Sequence, residues 1–142
     1  MKASDLMQTD HLWACSVTSD CRQAAQMMAE NDIGALPVLD ADGRLEGILT
    51  DRDITIRLVA QGRSFETPVS EIMSKPVRTV HADADAKEVE AILEQHKIRR
   101  LPVVDDQRRL QGWISLADMA HRYHGMFKEH RLAEVLETVS TP

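Results

Sequence analysis

The chain has 142 residues, 43% of them apolar but only 4% aromatic, and a formal net charge of −6. That length can bury one sizeable core without a disulfide or metal, built from Ala, Val, Ile, Leu and Met. The acidic balance lacks the basic face that neutralises a phosphate backbone, and no apolar run approaches bilayer length, so nucleic-acid and membrane binding are not expected and a cytoplasmic location is.

Residues 2–7 (Lys-Ala-Ser-Asp-Leu-Met) open the chain and are answered by residues 68–73 (Pro-Val-Ser-Glu-Ile-Met). The segments 13–15 (Trp-Ala-Cys) and 78–80 (Arg-Thr-Val) read as short extended stretches, each running into a polar helix-start signal at 18–20 and 83–85. Ala24, Ala25 and Met28 then recur at helical spacing, as do Val89, Ile92 and Leu93. Residues 36–40 and 45–49 are β-type runs around Ala-Asp-Gly, repeated at 101–105 and 110–114 around Asp-Gln-Arg-Arg, and each pair predicts a hairpin. Ile54, Leu58 and Val59 return to helical spacing, Gly62 supplies a stop, and residues 62–68 read as a linker. Leu132, Val135, Leu136 and Val139 mark a further amphipathic helix, expected to cover apolar surface within the molecule or at a dimer contact, with docking to another protein as the alternative.

These elements come twice because residues 33–53 are rewritten, without a gap, as residues 98–118. Nine of the 21 positions are identical, where ordinary composition gives roughly one match in fifteen. With only two copies, a long solenoid is excluded and the two must cover each other's apolar faces. The expected fold class is α/β, each repeat running strand, helix, strand, strand, helix, with repeat 1 over residues 1–64, repeat 2 over 65–124 and the extra helix over 125–142.

Several residues carry chemistry. Thr50 with Asp53, and Ser115 with Asp118, have the spacing of a capping box at a strand-to-helix junction. A carboxylate at such a rim can also accept hydrogen bonds from both hydroxyls of a ribose, as an acid does in dinucleotide-binding folds. Arg99 and Arg100 stand where the first repeat has Gly34 and Ala35, so the two repeats differ in the charge they offer a phosphate. Cys15 and Cys21 read as buried thiols, with a redox bridge or metal role as the alternative. His121 and His124 lie at i, i+3 with His130 beyond, a spacing that could grip a metal but lacks a supporting ligand pattern, and His81 and His96 have no patterned partner.

The run Ile-Gly-Ala-Leu-Pro-Val, an acidic turn, then Gly-Ile-Leu-Thr-Asp-Arg-Asp-Ile, written twice, resembles the CBS domain, and the pair resembles a Bateman module of the stand-alone bacterial kind that includes hypoxia- and stress-induced proteins. The resemblance implies two repeats packed about a pseudo-twofold axis, two clefts for AMP, ADP, ATP or another adenosyl compound, and a homodimer. It assigns ribose to Asp53 and Asp118 with Thr50 and Ser115 beside them, and sets the Asp53 cleft against Arg99, Arg100, Thr79 and Val80. The other cleft then combines Ser115 and Asp118 with Gly34, Ala35, Ala14 and Cys15.

No nucleophile elbow, phosphate-binding glycine loop or metal-ligand cluster is present in the sequence, so the expected protein is a non-catalytic sensor without a required cofactor or metal. It would act on an unidentified effector protein. The alternatives are a ligand-independent dimerisation or interaction module and a Cys/His redox or zinc stress sensor.

Overall fold

A computed structural model of the chain describes residues 1–122. In chain order its elements are α1 (Ala3–Leu6), β1 (Cys15–Ser16), α2 (Cys21–Asn31), β2 (Ala35–Leu39), β3 (Leu45–Thr50) and α3 (Asp51–Asp53), which runs on as a π-helix (Ile54–Val59). A 3₁₀ turn (Val69–Glu71) follows, then β4 (Val80–His81), α4 (Ala86–His96), β5 (Arg100–Val104), β6 (Leu110–Ser115) and α5 (Leu116–Arg122). The expected helix over 125–142 lies outside the described residues.

Contacts divide the chain into two units, Trp13–Val77 and Met1–Leu12 with the chain from Arg78 onward. Each unit therefore takes its opening segment from the other repeat. Residues 2–8 open the first repeat but dock on the sheet of the second, and residues 68–74 open the second but dock on the sheet of the first.

In the Trp13–Val77 unit the sheet order is β1-β2-β3, with β1 parallel and β3 antiparallel to β2. Leu36, Val38 and Leu49 enter a core with Cys15, Cys21, Ala24, Met28 and Leu58, closed by Val69, Ile72 and Met73 from the docked segment. Pro37 sits in the middle of the central strand, which is tolerated because its partner Ile48 turns both backbone groups the other way. Ile48 N–H donates to Ser74 O at 3.0 Å and Ser74 N–H to Ile48 O at 2.8 Å. The docked segment thereby also pairs the outer edge of β3.

The second unit repeats this plan in the order β4-β5-β6. Pro102 faces Trp113, whose backbone exchanges hydrogen bonds of 2.8 and 3.1 Å with Gln8. Ala3 and Leu6 of the leader are fully buried with Val89, Leu93, Leu101, Val103 and Ile114.

Both long helices start where the polar signals predicted. Asp20 accepts from Gln23 N–H at 2.8 Å while Gln23 accepts from Asp20 N–H at 3.0 Å, a capping box, and Asp85 accepts from Lys87 N–H at 3.0 Å. The expected short extended stretches form strands of two residues each, Cys15–Ser16 and Val80–His81. Two expectations are corrected. The helix after Thr50 widens to i→i+5 bonding, seen in Ala60 N–H to Thr55 O at 2.9 Å, and the changed pitch turns Val59 outward, 59% exposed. Residues 62–68 are no free linker: Thr67 O and Phe65 O accept from Cys21 and Arg22 N–H at 2.9 and 3.0 Å, satisfying two of the open donors at the start of α2.

Candidate functional site

The first site is assembled at the end of β3, where Thr50 is still extended and the next residue is helical. Thr50 Oγ1 accepts from Asp53 N–H at 3.0 Å, and Asp53 Oδ2 accepts from Thr50 N–H at 3.0 Å, so the expected capping box is formed. Asp53 is 7% exposed, and a carboxylate that deep needs partners. Ser74 Oγ supplies one, 3.0 and 3.1 Å from its two oxygens. Arg57 Nε stands 3.8 Å from Oδ1, while its Nη1 donates to Ile72 O and Met73 O at 3.2 and 3.1 Å.

Beside this junction lies the start of β2, because the hairpin brings its own two ends together. Ala35 is opposite Thr50, and Asp51 N–H donates to Gly34 O at 2.9 Å.

The second site has the same frame and different trim. Asp118 N–H donates to Ser115 Oγ at 3.1 Å and Ser115 N–H to Asp118 Oδ2 at 2.9 Å, while Gln8 Nε2 donates to Asp118 Oδ1 at 3.1 Å. Asp118 is 8% exposed. Here the hairpin end brings arginines: Arg100 is opposite Ser115, and Leu116 N–H donates to Arg99 O at 3.0 Å. Both arginines are exposed.

Within one unit the structure thus gathers Gly34, Ala35, Thr50 and Asp53, and within the other Arg99, Arg100, Ser115 and Asp118. Asp53 does not share a unit with Arg99, Arg100, Thr79 or Val80, nor Asp118 with Ala14, Cys15, Gly34 or Ala35. Of the residues expected around a base, Ala14, Gly34, Ala35 and Thr79 are half-buried, whereas Cys15 and Val80 are core residues.

Sequence reasoning missed Gln8, Ser74 and Arg57. The offset that matches residues 2–7 with 68–73 also aligns Gln8 with Ser74, but the differing identities hid a shared task.

Cys15 and Cys21 are free thiols. Burial pushes Cys15 up to about 11, and it likewise raises Cys21, where the nearby Arg63 charge offsets part of the effect. Among the described residues no group of three or more His, Cys, Asp or Glu is arranged to hold a metal ion. His124 and His130 lie outside them. His81 Nε2 stands 2.7 Å from Asp106 Oδ1, a contact the pattern did not show, but makes no hydrogen bond. A separate apolar groove of about 480 Å³ runs between α2, the π-helix and the 63–68 loop, lined by Ala25, Ala29, Leu58, Val59 and Phe65 among others.

The model of the CBS domain matches residues 3–60 and again residues 69–125. The chain belongs to the CBS-domain family. It is 40% identical over 112 residues to the CBS domain-containing protein YhcV of Bacillus subtilis, covering 79% of each chain. It is 38% identical over 120 residues to Hypoxic response protein 1 of Mycobacterium tuberculosis, covering 84% of this chain and 80% of that protein. A crystal structure of Hypoxic Response Protein I with two coordinated zinc ions overlays with a TM-score of 0.77 at 36% identity, over 85% of this chain and 98% of that one. The CBS domain pair of MJ0100, solved with 5′-methylthioadenosine and S-adenosyl-L-methionine, overlays with a TM-score of 0.71 at 28% identity, over 88% and 97%.

Proposed function

We propose that this CBS pair is a non-catalytic sensor that binds an adenine nucleotide or another adenosyl compound and signals by a conformational or oligomeric change to an effector protein. One observation carries the reading. A buried carboxylate sits at the same strand-to-helix junction in both units, and the strand end opposite it carries the exposed pair Arg99 and Arg100 in one unit but Gly34 and Ala35 in the other.

Asp53 and Asp118 take the ribose hydroxyls, Thr50 and Ser115 orient them, and Arg99 and Arg100 supply phosphate charge at the Ser115–Asp118 junction, their neighbour in the hairpin register. The resemblance to the family sets the arginines against Asp53 instead; they are placed at Asp118 because Arg100 is opposite Ser115 in their own hairpin. The Asp53 junction, bordered by Gly34 and Ala35 and with its nearest guanidinium, Arg57, held on Ile72 O and Met73 O, suits an uncharged adenosyl group. MJ0100, an adenosyl-binding CBS pair at 28% identity, supports the ligand class.

Likeness to a hypoxic response protein extends the proposal to a stress signal. No helix among the described residues is long and apolar enough to cross a membrane, in keeping with a proposed cytoplasmic role. Thermal melting with AMP, ADP, ATP and adenosine tests the reading. A ligand at about 100 times its Kd adds roughly 2.7 kcal/mol of stability, which is several degrees for a chain of this size; unchanged melting with all four at millimolar concentration would sink it.

A ligand-independent dimerisation or interaction module is the second reading, favoured by the apolar groove with Val59 and Phe65 exposed at 59% and 62%. Sedimentation of Phe65→Ser tests it: a dimer that survives this change counts against the groove as the contact.

A further inference from the structure

We propose that Gln8 and Ser74 are latches on the two carboxylates, so that a ligand able to hydrogen-bond a carboxylate through a diol releases the segment that carries the latch. The inference rests on the adenosyl reading and adds how binding would be converted into a change of structure.

Gln8 and Ser74 occupy the same place in their segments. Each exchanges two backbone hydrogen bonds with the middle of an outer strand, Gln8 with Trp113 and Ser74 with Ile48. Each also reaches with its side chain to the carboxylate of the unit on which it docks, Gln8 to Asp118 at 3.1 Å and Ser74 to Asp53 at 3.0 and 3.1 Å. An amide in one case and a hydroxyl in the other perform the same contact, so the contact and not the residue type recurs.

The carboxylates have limited room. One donor to each is the N–H of Thr50 or Ser115, fixed inside the capping box and unable to leave without unwinding the helix start. A ribose offers two adjacent hydroxyl donors and needs both oxygens. At Asp53 the Arg57 guanidinium, 3.8 Å from Oδ1, is tied to Ile72 O and Met73 O as well, so the donor that can yield is the side chain of the docked segment. Gln8 is exposed, so its amide finds water as a replacement partner when displaced.

Losing the side-chain bond leaves position 8 or 74 itself held to the strand by an isolated bridge. The residues before it stay anchored, by Leu6 in one segment and by Ile72, Met73 and Arg57 in the other, so the loosening falls on the stretch that follows. Just beyond each bridge the chain crosses to the other unit, at Leu12 to Trp13 and at Val77 to Arg78. A ligand on the carboxylate thus loosens the segment that connects one unit to the next. Linkage requires the reverse: loosening the latch must tighten binding by the same factor.

The test uses the full chain, as Gln8→Ala and Ser74→Ala, with two readouts. Hydrogen exchange without ligand should show the amides of residue 8 and Trp113 in the first variant, and of residue 74 and Ile48 in the second, opening about threefold faster or more. Titration with AMP should show about fivefold tighter binding in the variant whose carboxylate holds the nucleotide, whereas 2′,3′-dideoxyadenosine monophosphate, which lacks the diol, should bind both variants and the parent alike. Unchanged exchange in both variants overturns the latch. Faster exchange with AMP binding unchanged or weaker overturns the coupling and leaves these side chains structural. If neither AMP nor any other adenosyl compound binds the parent, the adenosyl reading itself has failed and the coupling with it, whatever exchange shows.

Discussion

A Cβ on Gly47 would stand 2.5 Å from Met73 Sδ, and its twin on Gly112 would stand 2.6 Å from Met7 Sδ. Each glycine is the place where the docked segment crosses the outer strand, and a side chain there would lift the segment from the sheet. Next to Gly112 the Gln8 carbonyl oxygen is 2.9 Å from that Cβ position, against 3.1 Å for Ser74 O next to Gly47. A methionine tail can move aside, but paired backbone cannot. Gly47→Ala and Gly112→Ala should therefore each cost about 1–3 kcal/mol, with Gly112→Ala the more costly of the two, read from urea midpoints. Equal stability to the parent in both would contradict the crossing.

Thr50→Ala should lose about 1 kcal/mol, because Asp53 N–H is left without its side-chain acceptor, while Thr50→Ser should keep most of it. Ser115→Ala should behave as Thr50→Ala does, since Ser115 Oγ accepts from Asp118 N–H. A Thr50→Ser variant as unstable as Thr50→Ala would mean that the methyl group, not the hydroxyl, is what matters.

Arg57 holds the docked segment by two carbonyls and leans on Asp53. Arg57→Ala should cost about 1–2 kcal/mol, and Arg57→Lys should recover only part, because an ammonium cannot reproduce the guanidinium fork. Full recovery in denaturant unfolding would show that charge alone suffices.

The buried Cys15 thiol keeps its proton in the fold at pH values where the unfolded chain has begun to lose it. Its contribution to stability is complete below the ordinary thiol range near 9 and is lost as pH rises towards about 11. Cys15→Ala should accordingly flatten the fall in melting temperature over that window. In the native parent both cysteines should resist iodoacetamide at pH 8 and react on unfolding; rapid native alkylation would favour the redox-sensor alternative.

Much of this was legible in the sequence. The 65-residue echo placed both hairpins, and the hydroxyl-x-x-acid spacing placed both capping boxes, because turns and caps are local. The exchange of leaders was not, although the match of residues 2–7 with 68–73 was plain, because a short segment's pattern does not say which of two similar sheets it joins. The π-helix escaped for a related reason: Ile54, Leu58 and Val59 satisfy an ordinary helical period, and only the structure shows the pitch. Ser74 and Gln8 were hidden by their difference, since repeated chemistry was sought as repeated identity.

The most direct test of the proposed sensor is calorimetric titration of AMP and adenosine into the parent, Asp118→Asn and the double variant Arg99→Ala with Arg100→Ala. The exposed arginines can be removed without opening the core. The account predicts that AMP binds the parent more tightly than adenosine does, that the double variant erases this advantage, and that Asp118→Asn weakens both ligands. AMP binding that is indifferent to all three changes, or absent from the parent, would contradict it.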